Sequence, residues 1–187
     1  EGALSGQATL ESLTVADDEG IWLTLEDAVL DWNRAALLRG RLEVTELTAA
    51  RILLPRLAAS SEVDAPTPEA TPFQLPELPV SIEINRIAAE NVQIGAPVFG
   101  AEAQVSLDGA LSLVSGDGAA NLAIERRDGI GALRLEASYG NASEQLALNF
   151  SLQEAEDGIF VNLVGLPGAP SIDFSVTGDA PVTDFTA

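Results

Sequence analysis

The 187 residues carry 29 acids against nine basic residues, all of them Arg, for a formal net charge of −20. A field of that sign repels phosphate backbones, which excludes a nucleic-acid partner and disfavours a seat on anionic headgroups. At 47% hydrophobic the chain is far from the disordered class, and it holds no Cys, His, Met or Lys. Disulfide scaffolds, thiolate or imidazole metal sites, His-based triads and Schiff-base lysines are thereby ruled out.

Ala8, Leu10, Leu13 and Val15 mark a first strand, and ADDEG (16–20) a turn. That turn lacks the regular oxygen-ligand spacing of a calcium loop. Ile21, Leu23 and Leu25 then lead into Ala28, Leu30 and Trp32 after a one-residue change of phase, the mark of a β-bulge. NRAALLRG (33–40) predicts a single short helix over 33–39, with Asn33 as N-cap and Gly40 past its end.

RLEVTELTAARILL (41–54) and SIEINRIAAENVQI (81–94) follow, and with an offset of forty their apolar positions coincide. Leu42, Val44, Leu47, Ala49, Ile52 and Leu54 fall on Ile82, Ile84, Ile87, Ala89, Val92 and Ile94. The phrase changes phase between Ile84 and Ile87 and again between Ala89 and Val92. A pentapeptide solenoid would give the same spacing of five, but strict alternation returns after Val105, so bulged, curving strands are the better reading. Between the copies, prolines at 66, 68, 72, 76 and 79 mark a loop or linker, 56–79.

From 103 to 153 apolar and polar residues alternate in four runs, separated by GDG, RRDGIG and YGNAS, which predicts an antiparallel meander. Ile159–Val164 and Ile172–Val176 read as further strands on either side of LPGAP (166–170). In all, roughly a dozen strands are expected: a first β segment, 1–55, the loop, and 80–187 continuing the same sheet. The chain begins Glu-Gly and stops in mid-pattern at Ala187, which reads as a piece of something longer.

The remaining catalytic resource is paired carboxylates. Glu26/Asp27 and Glu154/Glu156/Asp157 fall in charged turns or on the solvent phase of strands, so they read as solvated, and neither an enzyme nor a cofactor is expected. Asn141-Ala142-Ser143 is a glycosylation sequon. Trp22 and Trp32 share a phase unless a bulge intervenes. The informative feature is the apolar face itself, which a sandwich, a closed barrel or one sheet folded lengthwise could hide. Restating an apolar phrase with freely varied polar residues favours the elongated sheet.

WLTLEDAVLDWNRAALLRGRLEVTELTAARILLPR (22–56) resembles the amino-terminal periplasmic region of the TamB family, in the AsmA-like superfamily. FQLPELPVSIEINRIAAENVQIGAPVFG (73–100) and GLPGAPSIDFSVTGDAPVTDF (165–185) resemble the segments that follow, and LDWNRAALLRG (30–40) and the LPG…GDAP pairing are the most specific parts. Relatives such as AsmA and YhdP share the looser spacing. The resemblance implies an all-β fold, an elongated, curved antiparallel sheet folded around a hydrophobic groove (a β-taco). It also implies an inner-membrane anchor outside this stretch and a place in the periplasm of a diderm bacterium. Members of the family are implicated in phospholipid transport to the outer membrane and, with a TamA-like outer-membrane barrel protein, in assembling β-barrel proteins and autotransporters.

On this reading phospholipid acyl chains are the cargo and the groove is a stripe rather than a point. Its lining is expected to be Leu42, Val44, Leu47, Ile52, Leu54, Ile82, Ile84, Ile87, Val92 and Ile94, with Leu122, Ile124, Leu133, Leu135, Leu146, Leu148 and Phe150. The alternative for the same residues is the ordinary core of a closed sandwich. Should the protein instead be a scaffold for nascent barrels, backbone groups at a sheet edge would do the binding.

Overall fold

The computed structural model describes residues 6–59 and 74–182. The middle of the Pro-rich segment, 60–73, and both chain ends therefore lie outside the described residues. The strands are β1 (Gln7–Asp17), β2 (Gly20–Asn33), β3 (Arg41–Leu54), β4 (Ser81–Ile94), β5 (Ala103–Val114), β6 (Asp117–Arg126), β7 (Gly131–Gly140), β8 (Gln145–Glu154) and β9 (Ile172–Pro181). They form one open, curved sheet in sequence order, with β1 and β9 as its edges. Among the described residues there are nine strands, where roughly a dozen were expected of the whole chain.

The meander over 103–153 is as the alternation predicts, with β5 to β8 antiparallel throughout. One junction departs from an all-antiparallel sheet: β3 and β4 are parallel. Leu42 lies beside Ile82, Val44 beside Ile84, and so on to Leu54 beside Ile94, so the offset of forty is a hydrogen-bonding register. Parallel neighbours need a crossover that brings the chain back along the strand, about 46 Å for 14 residues. The Pro-rich segment lies within that connection, between Leu54 and Ser81. Its first residues are fixed at the β1–β2 turn. There Arg56 pairs with Asp17, whose carboxylate also accepts the Ala59 N–H at 2.8 Å.

The phase changes are creases. In β4 the register shifts between Ile84 and Ile87 and between Ala89 and Val92, at the two predicted places. The second crease continues through Ala50-Arg51 of β3, Glu26-Asp27 of β2 and Glu11-Ser12 of β1, each a pair of residues between two apolar positions. Asp27 takes φ 50°, which accomplishes the change of phase there. Because of it Trp22 and Trp32 stand on opposite faces. β5 keeps strict alternation, and the crease ends against it.

Among the described residues three short helices join the strands, where one was expected. α1 (Arg34–Leu37) is the predicted turn of helix, but the Asn33 side chain does not cap it. The amide instead donates to Glu43 Oε2 at 2.7 Å. α2 (Ala96–Phe99) begins with a proline in its first turn and ends at Gly100, φ 85°. α3 (Ile159–Val164) replaces the strand expected there. Glu154 explains it: its carboxylate accepts the Ile159 and Phe160 N–H groups at 3.0 and 2.8 Å, and Gly165 in the left-handed region ends the turn. Glu154 is thus 8% exposed and structural, not a member of a solvated acidic turn.

Candidate functional site: the apolar face

Residues opposite one another in a ladder share a face, so the register builds the site row by row. One row runs Val176, Phe150, Leu135, Leu122, Gly109, Ile87, Leu47, Leu30 and Ala8 across all nine strands. The next runs Phe174, Leu152, Leu133, Ile124, Leu107, Ala89, Ala49, Ala28 and Leu10. A third holds Leu148, Ala137, Ala120, Leu111, Ile84, Val44 and Trp32. Leu146, Tyr139, Gly118, Leu113, Ile82 and Leu42 form a fourth. No side chain in these four rows is charged. Nine strands at about 4.8 Å make the face about 38 Å long across the strands.

All seventeen predicted lining residues lie on this one face. Val44 is buried at 5% exposure, Leu47 is 37% exposed, and the other fifteen are half-buried. A sandwich core would bury nearly all of them. Instead the strands contact their hydrogen-bonded neighbours, and among the described residues no second sheet lies across this face. Leu107, Leu111, Leu113, Leu30, Trp32 and Phe174 belong to the same stripe and are not among the predicted lining. Their alternation was a sufficient signal. Phe150 and Phe174 stack obliquely, 6.1 Å between ring centres, and close the row toward the β9 edge.

The face has a margin at each end of the strands. At one, α2 and α3 meet, and Val98 of α2 and Val161 of α3 are buried. At the other, the last residues of the crossover cross the face. Leu75 donates its N–H to Asn141 Oδ1 at 2.8 Å, and Asn141 Nδ2 donates to the Leu75 carbonyl at 2.9 Å. The apolar face therefore runs across the strands, from β1 to β9, between two margins.

The opposite face is polar. A hollow of about 900 Å³ spans β4 to β9, bordered by Glu83, Ser112, Asn121, Glu136, Asn149 and Thr177 and also by Ile84, Leu111 and Leu148 of the third row. Most of its border belongs to the polar face, and Ile84 and Leu148 are the two residues of the predicted lining that it includes. A twisted sheet is saddle-shaped and so concave on each face in a different direction. The trough's polar side chains bond one another, Asn149 to Glu136 and Thr177 to Asn149, as a hydrated surface does. A smaller hollow of about 540 Å³ follows the crease at Glu26, Arg51 and Asn91. The ADDEG turn holds a cation, and it is a guanidinium: Arg56 beside Asp17 keeps that carboxyl far below the usual range. Among the described residues no helix is long and apolar enough to cross a membrane, and no acidic cluster is arranged to hold a metal.

Comparison with protein-family models, with curated proteins and with solved structures finds no match.

Proposed function

We propose that the apolar face is one wall of a conduit for phospholipid acyl chains, within a periplasmic, inner-membrane-anchored protein that carries phospholipid toward the outer membrane. The observation that carries this reading is the set of uncharged rows that cross the sheet while most of their members stay half-exposed. Each acyl methylene left in water costs about 0.8 kcal/mol, so two sixteen-carbon chains cost on the order of 25 kcal/mol. A lipid crosses an aqueous compartment at a useful rate only with its tails covered. Uniform aliphatic rows cover them without a deep trap at any one position, and the headgroup stays in water. The resemblance to the TamB family, over nearly the whole chain, supports the same assignment.

Photo-crosslinking residues at Ile84 and Phe150, with Glu83 and Asn149 as opposite-face controls, test it in cells labelled with radioactive phosphate. Phospholipid adducts are expected at the first pair and not at the second. No adducts at either pair, with the protein folded and at normal levels, would return these residues to an ordinary packing role.

One observation favours a second reading, a scaffold for outer-membrane barrel insertion working with a TamA-like partner. β1 and β9 are the edge strands of the sheet among the described residues, and strand addition needs an edge strand. A proline in β1 that abolishes barrel assembly while Ile84→Arg leaves it intact would select this reading over the conduit.

A further inference from the structure

The residues just before β4 do more at the groove margin than connect. Gly118, on the apolar face between Leu113 and Tyr139, interrupts a row of side chains and leaves a notch. Leu75 fills it: a Cβ on Gly118 would stand 2.6 Å from Leu75 Cδ1. The backbone of Leu75 is held by both ends of the Asn141 amide. Asn141 is itself fixed by its N–H on the Gly116 carbonyl at 3.1 Å. From there the chain crosses β6 and β5 to reach β4, three strand spacings or about 14 Å, which six residues span easily. Pro76 and Pro79 remove two N–H donors, and the next hydrogen bond is Ser81 N–H to the Gly40 carbonyl at 3.0 Å. Residues 75–80 are thus a strap with a hinge at one end, a two-bond latch at the other, and one aliphatic side chain set into the apolar face.

We propose that the notch at Gly118 is an acyl-chain site occupied in cis by Leu75, so that the strap competes with cargo at this margin and Asn141 is its latch. The inference rests on the conduit reading. A side chain and a lipid methylene chain are alike to a hollow lined by Leu113 and Tyr139, and only one of them fits at a time. Two neutral hydrogen bonds that reform with water hold the strap without locking it. The occupied site therefore reduces the apparent affinity for an acyl chain by the fraction of time the strap is closed.

The chain has no cysteine, so spin labels can be placed without background. Labels at Glu77→Cys and Ser138→Cys, both exposed, report the strap's distance from β7, and monomeric dodecylphosphocholine is the probe. The probe is expected to lengthen this distance in the otherwise unaltered protein. Asn141→Ala should lengthen it without probe and tighten probe binding. Leu75→Ser leaves the latch atoms in place and empties the notch, and should tighten binding about tenfold. Probe binding that neither moves the strap nor changes in the two variants would overturn the proposal and leave the conduit standing. A strap that opens in Asn141→Ala while no variant binds the probe would overturn the conduit reading and, with it, this one.

Discussion

Val161 is completely buried where α3 meets α2, whereas Leu163 two residues on is 55% exposed. Val161→Ala is expected to cost about 2 kcal/mol, from two lost methyl groups plus an imperfectly closed cavity. Leu163→Ala should cost less than about 0.5 kcal/mol, and urea unfolding of the two variants side by side checks the contrast. Asp17 offers a pH-dependent counterpart. Its carboxyl is lowered, first by the hydrogen bond from Arg56 and then by the Ala59 N–H. Its contribution is therefore complete above the ordinary carboxylate range and fades as pH falls through the lowered value. Asp17→Asn should melt below the unaltered protein at pH 7, and the gap should shrink steadily in acid; a gap independent of pH would contradict the assignment. Such roles were poorly legible in the sequence. Asn141 read as a sequon and Glu154 as solvated, because the groups that define them are brought up only by folding, in one case from 66 residues away.

At the scale of elements, the repeat was the most legible feature, and the structure gives it a geometric meaning. Spacings of two show where alternation holds, and spacings of three show where a crease passes, so aligned spacings in 41–54 and 81–94 specify aligned creases. Deleting Asn91 tests this. The deletion restores strict alternation through the second crease of β4, so that either the crease is lost there beside creased neighbours or it persists and takes Val92 and Ile94 off the apolar face. A loss of at least about 3 kcal/mol is expected, read from the urea midpoint, since apolar side chains leave the face together. What the alternation could not convey was direction. The spacings two, three, two, three, two read the same both ways, so β3 and β4 could have been paired in either sense. Periodicity also misled at 159–164, where six residues are too few to separate a strand from a helix, and the deciding group, Glu154, lies outside the run.

At the scale of the molecule, the acids and the aliphatic rows divide the two faces between them, and this division was apparent from composition and alternation together. The extent of exposure was not, because a sandwich core and an open face have the same pattern along each strand. The one parallel junction then has a consequence of parity. With nine strands and every neighbour antiparallel, the polypeptide would enter at one margin and leave at the other. The single parallel step makes the number of reversals odd, so the start of β1 and the end of β9 fall on the same margin, the one that carries Leu75. Dyes at Gly6 and Val182 should accordingly lie no more than about 38 Å apart, the width of the sheet, rather than the diagonal of more than about 50 Å that an all-antiparallel path would give. Energy transfer between them reads the difference directly. Among the described residues the margin with α2 and α3 bears turns and the exit of β3 toward the crossover but neither outer strand end, so force applied between the start of β1 and the end of β9 would load one margin of the apolar face and leave the other slack.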